Sequence, residues 1–281
     1  MFNQITIIGI GLLGASLGMA VKKHKISKNI KVWARKETTL EKCSQKEWCD
    51  ECESNLNRAV TGSEFVVVCT PVESIPSILE KISPFLPNGC IVTDVGSVKG
   101  KICDSAVKIF ENSSAYFVGS HPMAGSEKSG LEYADENLFK EKYCVVTPIG
   151  NEVDEVLKKT IEFWDRLLMK TVSFTPAEHD LAVSYCSHLP HLVASCLAKS
   201  LKDKEIKWLQ IAGNGLRDTT RIAEGSPDLW KQIILMNKDN IIGSIEEFEK
   251  VIDEIKKSLV QGNSDQLISI LEQGANFRKN L

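Results

Sequence analysis

The stretch ITIIGIGLLGASLG, residues 5–18, joins an apolar run to a helical pattern through three closely spaced glycines. The residues before Gly9 have the β-branched, apolar composition of a buried strand, and a helical pattern starts at Gly14. The spacing Gly9-x-Gly11-x-x-Gly14 suits a tight turn, a close backbone approach to a pyrophosphate and close packing of helix on strand. Amides at the helix start would hold the anion. This predicts dinucleotide binding, and a glycine-rich turn kept only for packing is the alternative.

Strand and helix patterns alternate through the first 174 residues, which predicts a doubly wound α/β sheet of the Rossmann type. The predicted strands are 5–10, 30–34, 65–70, 90–94, 116–119, 143–147 and 171–174, with helices at 14–25, 38–47, 73–82, 99–110 and 153–169 between them. After residue 174 only helical patterns follow, at about 176–202, 228–259 and 265–277. We therefore predict a dinucleotide-binding domain over 1–174 and a helical domain over 175–281.

The end of the second predicted strand indicates which nicotinamide cofactor is bound. An NAD site would carry Asp or Glu there, about 20 residues after the glycines, to bind the ribose hydroxyl. The chain has Arg35 and Lys36 instead, and these cations suit a 2′-phosphate. We predict NADP, with NAD left open because Glu37 would be the ribose ligand of a longer strand. The further predicted cofactor contacts are Leu12 and Leu13 between the glycines, and Thr70 and Pro71 at the third strand end.

Composition excludes several classes of partner. The chain has 43% hydrophobic and 25% charged residues and a net charge of −3, and its longest basic run is Lys22–Lys25. This balance predicts a small-molecule substrate, with neither nucleic acid nor membrane as partner. The N-terminal apolar run has no preceding basic residues and is interrupted by glycines, so it predicts neither a signal peptide nor a membrane span. Nine cysteines, mostly inside apolar runs, are typical of reduced cytoplasmic thiols.

Three of these thiols lie close together in the sequence. Cys43 is followed by Cys49 and Cys52, and the last two have the spacing of half a zinc site or of a redox pair. A closed zinc site needs about four ligands, and no second pair or nearby histidine supplies them. We predict no metal, and any other role of these thiols is left open.

Polar residues gather at the ends of the fourth and fifth predicted strands. Ser97 and Lys99 follow the fourth strand, and His121 follows the fifth in GSHPMAG. A neutral histidine can accept a proton during hydride transfer, and a serine hydroxyl can share that hydrogen bond. A turn residue is the alternative for His121, and a helix N-cap is the alternative for Ser97.

The helical half adds candidate ligands for an anionic substrate. His188 and His191 of SHLPH share a helix face, and Pro190 between them should bend that helix. Arg217 and Arg221 lie four residues apart near a predicted helix boundary, and arginine binds carboxylates in a bidentate manner. An ordinary surface ion pair is the alternative for Arg217.

Taken together, these motifs resemble the prephenate/arogenate dehydrogenase family of tyrosine biosynthesis. The resemblance covers nearly the whole chain and rests on GIGLLGASL, TDVGSVK, SHPMAG with SEKSG, TPAEHD, SHLPH and LRDTTRIA, in the family's order. It implies that the helical domain forms a homodimer and that the active site lies between the two domains. It also implies roles for particular residues: His121 as the base and Ser97 as its support, with substrate binding by His188, His191 and Arg221, and Arg217 close by.

The implied reaction is oxidative decarboxylation of prephenate to 4-hydroxyphenylpyruvate. Arogenate, which would yield tyrosine, stays open as the substrate, since His191 favours prephenate whereas Arg35 and Lys36 resemble NADP-using, often arogenate-specific relatives. A β-hydroxyacid dehydrogenase is a more distant alternative, but the catalytic lysine of that class has no counterpart in AGNGLRDTTR. A non-catalytic NADP-binding regulator is the remaining one. Feedback inhibition by tyrosine is not predicted either way.

Overall fold

Eight strands form a single sheet in the computed structural model, which describes residues 1–126, 128, 130–150 and 152–280. They are β1 (Phe2–Ile8), β2 (Ser27–Trp33), β3 (Glu51–Glu53), β4 (Phe65–Val68), β5 (Ile91–Asp94), β6 (Tyr116–Pro122), β7 (Tyr143–Thr147) and β8 (Lys170–Ser173). The spatial order is β3-β2-β1-β4-β5-β6-β7-β8. All neighbours are parallel except β6 and β7, which are antiparallel. The predicted doubly wound fold class is confirmed.

Helices cover both faces of this sheet and then continue alone to the C-terminus. Those of the first half are α1 (Leu12–Lys23), α2 (Glu37–Ser44), α3 (Leu56–Ala59), α4 (Ile75–Ile82), α5 (Gly100–Phe110) and α6 (Asp154–Arg166). Those of the second half are α7 (Pro176–Val183), α8 (Leu189–Leu201), α9 (Ile206–Leu209), α10 (Asn214–Thr220), α11 (Pro227–Met236), α12 (Lys238–Gln261) and α13 (Ser264–Lys279).

Two hydrophobic cores lie on opposite faces of the sheet. Successive strand residues point to opposite faces, so Phe65 and Val67 of β4 join one core while Val66 and Val68 join the other. All four are fully buried, as expected for a strand with helices on both faces. Because β1 lies between β2 and β4, the chain changes direction across the sheet at β1, which opens a crevice beside its carboxyl end.

Several predicted element bounds are wrong. The short edge strand β3 was not predicted, and β6 continues to Pro122 instead of ending at Gly119. The helix predicted over 228–259 is divided at Asn237 into α11 and α12. A π-helical turn, Ser184–His188, separates α7 from α8.

One helical segment meets the length and hydropathy of a membrane span, although we predicted none. Pro176–Leu201 has a mean hydropathy of 1.2 over the best window, of which 28% is buried. The segment also carries buried His179, Asp180, His188 and His191. Core helices of folded domains can have the same length and composition, and these buried polar residues fit that reading.

Candidate functional site

The glycine turn after β1 leaves the start of α1 open to a ligand. Gly9 has φ +96°, and a Cβ at Gly14 would lie 2.1 Å from the carbonyl oxygen of Gly9. The N-cap of α1 is Gly11, which provides no side-chain cap, and no atom lies within 4 Å of the position its Cβ would take. The first amides of α1 are therefore available to an anion, as a pyrophosphate site requires.

The neighbouring strand ends complete this crevice. The side-chain oxygen of Thr70 is buried without a hydrogen-bond partner among the described residues, and Pro71 beside it is exposed. A buried orphan hydroxyl is uncommon, and a bound ligand would satisfy it. Leu12 and Leu13 are half-buried at the start of α1. These positions fit a nicotinamide dinucleotide.

Cationic side chains follow the end of β2, at the predicted ribose position. The strand ends at Trp33, and Arg35 and Lys36 are both exposed in the connection that follows. Glu37 is the first residue of α2, so β2 is not the longer strand that would have made Glu37 the ribose ligand. No carboxylate ends this strand.

His121 forms one end of a chain of three buried side chains that spans the two halves of the molecule. Its Nδ1 lies 2.8 Å from Nε2 of His179, whose Nδ1 lies 2.8 Å from Oδ1 of Asp180. The Asp180 carboxylate can only accept, so His179 donates through Nδ1 and accepts through Nε2. His121 must then donate through Nδ1. This arrangement leaves the lone pair on Nε2 of His121, the atom that would take a proton.

Asp180 also caps α5 from the helical half. Its Oδ1 accepts from the backbone amide of Lys99 at 2.7 Å, and its Oδ2 accepts from that of Gly100 at 2.8 Å. A Cβ at Gly100 would lie 2.9 Å from Oδ2, so glycine makes this close approach possible. The N-cap alternative for Ser97 is therefore wrong, because α5 begins at Gly100 and the carboxylate of Asp180 supplies the cap. Ser97 lies half-buried in the preceding turn and forms no side-chain hydrogen bond with a described residue.

A buried ion pair fixes the backbone beside His121. The ammonium of Lys99 contacts the Asp94 carboxylate and donates to the carbonyl of Ser120 at 2.8 Å, and Asp94 accepts from the amide of Ser120 at 3.2 Å. Lys99 and Asp94 are both fully buried. Ser120 is thus held through both its backbone groups, and the side chain of Ser120 accepts from Trp164 Nε1 at 3.0 Å. This clamp sets the position of the His121 ring.

Burial keeps the histidines of this site neutral. It holds the pKa of His121 well below its ordinary value, and His179 and the Lys99 ammonium act in the same direction. His188 adds to this lowering, so it lies within electrostatic range of His121. Burial also lowers the pKa of His179, in spite of its bond to Asp180. Burial raises the pKa of Asp180, but hydrogen bonds from His179 and two backbone amides lower it overall, so the carboxylate stays ionised.

His188 and His191 present unpartnered nitrogens on the helical side of the site. Nε2 of His188 and Nδ1 of His191 are buried with no hydrogen-bond partner among the described residues. Nδ1 of His188 lies 3.2 Å from the side-chain amide of Asn237, which also donates to the carbonyl of Asp180 at 2.7 Å. The His191 ring stacks on Trp230, with centroids 3.6 Å apart and planes 9° apart. Two fixed rings with free nitrogens suit an anionic or polar ligand.

A π-helical turn lies just before Pro190, a residue between the two histidines. Pro190 lacks an amide hydrogen and cannot continue the α-helical bonding of the preceding turn. The chain adapts with the π-helical turn that ends at His188, so the predicted bend takes this form.

The two arginines are both exposed, and one of them begins a turn that contacts His191. Arg217 is on α10 and forms no ion pair with a described residue, so the structure does not support the surface ion pair that was the alternative for this residue. Arg221 begins the short turn Arg221–Glu224, which packs against α8, and the backbone of Ile222 in that turn contacts the His191 side chain. Arg221 therefore lies at the start of the turn that contacts His191.

Four residues of this site were not predicted to be functional: His179, Asp180, Trp230 and Asn237. The letters EHD of TPAEHD did carry a signal, because two polar, ionisable residues stand where a buried helix face begins. The motif was used only for the family resemblance, and the capping box of Thr175 and Glu178 forms the start of α7 within it. Glu127 and Ser129 of the SEKSG motif lie outside the described residues.

Comparisons with known proteins agree across both halves. Residues 17–173 match the family model of the prephenate dehydrogenase nucleotide-binding domain, and residues 175–273 match that of the prephenate dehydrogenase dimerization domain. The chain is 33% identical to prephenate dehydrogenase of Lactococcus lactis over 281 residues, which is 99% of this chain and 77% of that protein.

Two solved structures are similar over their full length. One is prephenate dehydrogenase from A. aeolicus, in complex with hydroxyphenyl propionate and NAD+, with a TM-score of 0.92 at 29% identity. The match covers 100% of this chain and 98% of the A. aeolicus chain. Synechocystis arogenate dehydrogenase has a TM-score of 0.85 at 30% identity, with 99% of each chain covered. The resemblance inferred from the motifs is confirmed. This chain therefore belongs to the prephenate/arogenate dehydrogenase family of NAD(P)-dependent oxidoreductases.

Proposed function

We propose that this chain oxidatively decarboxylates prephenate to 4-hydroxyphenylpyruvate. The observation that carries the proposal is the set of four buried imidazoles at one crevice. His121 offers a lone pair oriented by His179 and Asp180, while His188 and His191 offer unpartnered nitrogens. This reaction needs a base for the ring hydroxyl and groups that hold the substrate's carboxylates. Oxidation turns the carbinol into a ketone, and the ring then becomes aromatic as its carboxylate leaves as CO2.

The proposed roles follow from where each side chain lies. Nε2 of His121 takes the proton of the ring hydroxyl, and Ser97, in the turn beside the Lys99 clamp, supports that hydroxyl. His188 and His191 hold the substrate's polar groups with Arg221. Arg217 is a weaker candidate, because it lies on α10 whereas Arg221 begins the turn whose backbone contacts His191. The chain positions and deprotonates, and these two effects account for most of what a protein adds to such chemistry.

The glycine turn, Thr70 and Pro71 would hold the dinucleotide, with Leu12 and Leu13 at the helix start. When bound, the nicotinamide accepts the hydride that leaves the carbinol carbon. A base of very low pKa would be weak at neutral pH, but an incoming dianion adds two negative charges near His121. Those charges raise its pKa toward the working range, so the substrate itself activates the base.

NADP is the proposed cofactor, with NAD as the alternative. Arg35 and Lys36 stand where an NAD-binding chain carries a carboxylate, and Glu37 lies beyond the strand in α2. The A. aeolicus relative was crystallised with NAD+, which keeps the alternative in view. Arg35→Asp should raise the KM for NADP and lower that for NAD, and an unchanged ratio would contradict this assignment.

Prephenate is proposed over arogenate on the strength of His191. The two substrates differ only in a keto or an ammonium group on the side chain. Protonated at its unpartnered Nδ1, the stacked ring of His191 would donate to the keto acid of prephenate and would repel the ammonium of arogenate. Arogenate is the second candidate, because a relative of nearly identical length is named for that activity.

The domain boundary and assembly are also proposed. β8 ends at Ser173 and α7 begins at Pro176, which supports domains over 1–174 and 175–281, the last residue lying outside the described part. A homodimer through the helical domain is supported by the match to a dimerization domain. It is also supported by large exposed apolar side chains on α12 and α13: Phe248, Val251, Ile252, Leu259, Val260, Ile268, Leu271 and Phe277. We place the protein in the cytoplasm.

One experiment tests the activity and the base together. Purified protein is assayed with prephenate and with arogenate, each with NADP+ and NAD+, and both reduced cofactor and CO2 are measured. His121→Asn should lower kcat by at least about 100-fold while nucleotide binding is retained. His24→Asn, at the far end of α1, is the matched control and should retain full activity. No turnover in any of the four mixtures would refute the proposed function, and retained turnover in the His121 variant would refute the base.

A further inference from the structure

Two thiols lie in contact at the edge of the sheet, one in the connection between α2 and β3 and the other in β3 itself. The sulfur of Cys49 is 3.5 Å from the sulfur of Cys52, and neither belongs to a disulfide. Cys52 is exposed, whereas Cys49 is half-buried. A disulfide needs a sulfur–sulfur distance of about 2.0 Å, so the two atoms would have to approach by about 1.5 Å.

The surrounding segment holds this pair in place. Trp48 packs so closely on α1 that a Cβ at Gly18 would lie 2.3 Å from its ring. Asp50 pairs with Lys22 at 2.7 Å and accepts from the amide of Ile30 at 2.9 Å. The backbone on both sides of Cys49 is therefore anchored to α1 and β2, and only side-chain rotation with small adjustments can bring the sulfurs together.

A metal does not explain the pair. Among the described residues no group of three or more His, Cys, Asp or Glu side chains is arranged to hold a metal ion. Cys43 is fully buried, and burial raises its thiol pKa to about 11, so it stays protonated. The pair at positions 49 and 52 therefore fits a redox pair better than a metal site.

We propose that Cys49 and Cys52 form a reversible disulfide, which makes this pair a redox modification site of the nucleotide-binding half. With hydrogen peroxide, the exposed Cys52 thiolate attacks one oxygen, which gives a sulfenic acid and, after proton transfer, water. The Cys49 sulfur then attacks the Cys52 sulfur, and the second water leaves as the disulfide forms. In total, two thiols and one peroxide give one disulfide and two waters. A dithiol reductant reverses the change by exchange.

The order of these steps follows from exposure. Burial and the adjacent Cys52 raise the pKa of the Cys49 thiol, so Cys49 is protonated at neutral pH and is a poor first nucleophile. Cys52, which solvent reaches, meets the oxidant first. Cys49 then acts as the resolving thiol at contact distance.

Disulfide formation should also weaken cofactor binding, an expectation that rests on the proposed NADP binding. The Cys52 thiol donates to the carbonyl of Leu40 in α2 at 3.4 Å, and a disulfide has no hydrogen to donate. α2 begins directly after Arg35 and Lys36. Loss of this weak bond loosens α2 on the sheet, so we expect about three-fold weaker NADP binding.

Peptide mapping by mass spectrometry tests the disulfide without any nucleotide. Reduced protein is treated with hydrogen peroxide, blocked with an alkylating agent and digested. The wild type should give a peptide linked between Cys49 and Cys52, reversed by dithiothreitol, and so should the control Cys196→Ser, which removes an exposed thiol of α8. Cys49→Ser and Cys52→Ser should lack it. No linked peptide, or a link to another cysteine, would overturn the proposal.

Titration with NADP alone tests the coupling to α2. Cys52→Ser keeps a donor for the Leu40 carbonyl and should bind like the reduced wild type, whereas Cys52→Ala should bind like the oxidised protein. Equal affinity in oxidised, reduced and alanine forms would overturn the coupling. If NADP binds to none of these forms while the linked peptide is found, the cofactor assignment fails and the modification site stands.

Discussion

Acidification should destabilise this protein through His188, by an amount that its surroundings set. Burial lowers the pKa of this imidazole to about 4, although Asp180 opposes the shift, whereas the ordinary value is 6.5. A folded-state pKa below the unfolded value means that the folded form prefers the neutral ring. The stabilisation is therefore fully present above about pH 6.5 and is lost as the pH falls toward 4. The whole difference is worth about 3 kcal/mol, of which about 2 kcal/mol is lost by pH 5.

The assay compares the wild type with His188→Gln in urea unfolding at pH 7 and at pH 5. Protein concentration is held fixed, because assembly would otherwise change the apparent stability. Glutamine does not titrate, so the variant should gain about 2 kcal/mol relative to the wild type between the two pH values. The other buried histidines are present in both proteins and largely cancel. His24→Gln serves as the control substitution. A relative gain below about 0.5 kcal/mol would refute the assigned environment of His188.

Three further predictions concern the relay, the glycine turn and the arginines. Asp180→Asn replaces one acceptor oxygen with an NH2 donor, so the imidazole tautomers are no longer fixed. The kcat should fall about 10- to 100-fold with an altered pH profile. Kinetics within two-fold of wild type across pH would contradict the orienting role of this carboxylate toward His121. Gly14→Ala places a Cβ 2.1 Å from a backbone oxygen, so nucleotide affinity measured by titration and Tm should both fall, and unchanged values would contradict the turn geometry. Arg221→Ala should raise the substrate KM at least about ten-fold, while Arg217→Ala should change it little. Equal changes in KM would contradict the ranking of Arg221 above Arg217.

The nucleotide-binding half could be predicted from sequence because its signals are local. Gly9, Gly11 and Gly14 act within one turn, and their spacing alone indicates strand, turn and helix. The buried strands β4 and β5 are recognised by apolar runs that need no knowledge of their neighbours. β3 escaped prediction because it consists of three residues, Glu51–Glu53, at the sheet edge, where polar side chains carry no alternation.

The site was predicted only in part because its decisive contacts are distant in the chain. His121 and His179 are 58 positions apart, and Asp180 caps a helix 80 positions away. Neither relation leaves a periodic pattern. The N-cap alternative for Ser97 rested on its nearness to the helix start, whereas the carboxylate that caps α5 comes from the helical domain. The motif TPAEHD lies in the correct segment, but only the fold shows that His179 contacts His121 and that Asp180 caps α5.

The cap that Asp180 places on α5 makes the two domains chemically inseparable. A nucleotide-binding half produced alone would keep its glycine turn, but it would lack both the acceptor for the first amides of α5 and the partner that fixes the ring of His121. Such a fragment should still bind the cofactor. The imidazole of His121 would, however, be free to rotate and to adopt either tautomer. Chimaeras that exchange helical domains between relatives should therefore recover turnover only when the incoming domain brings an acidic residue at this position.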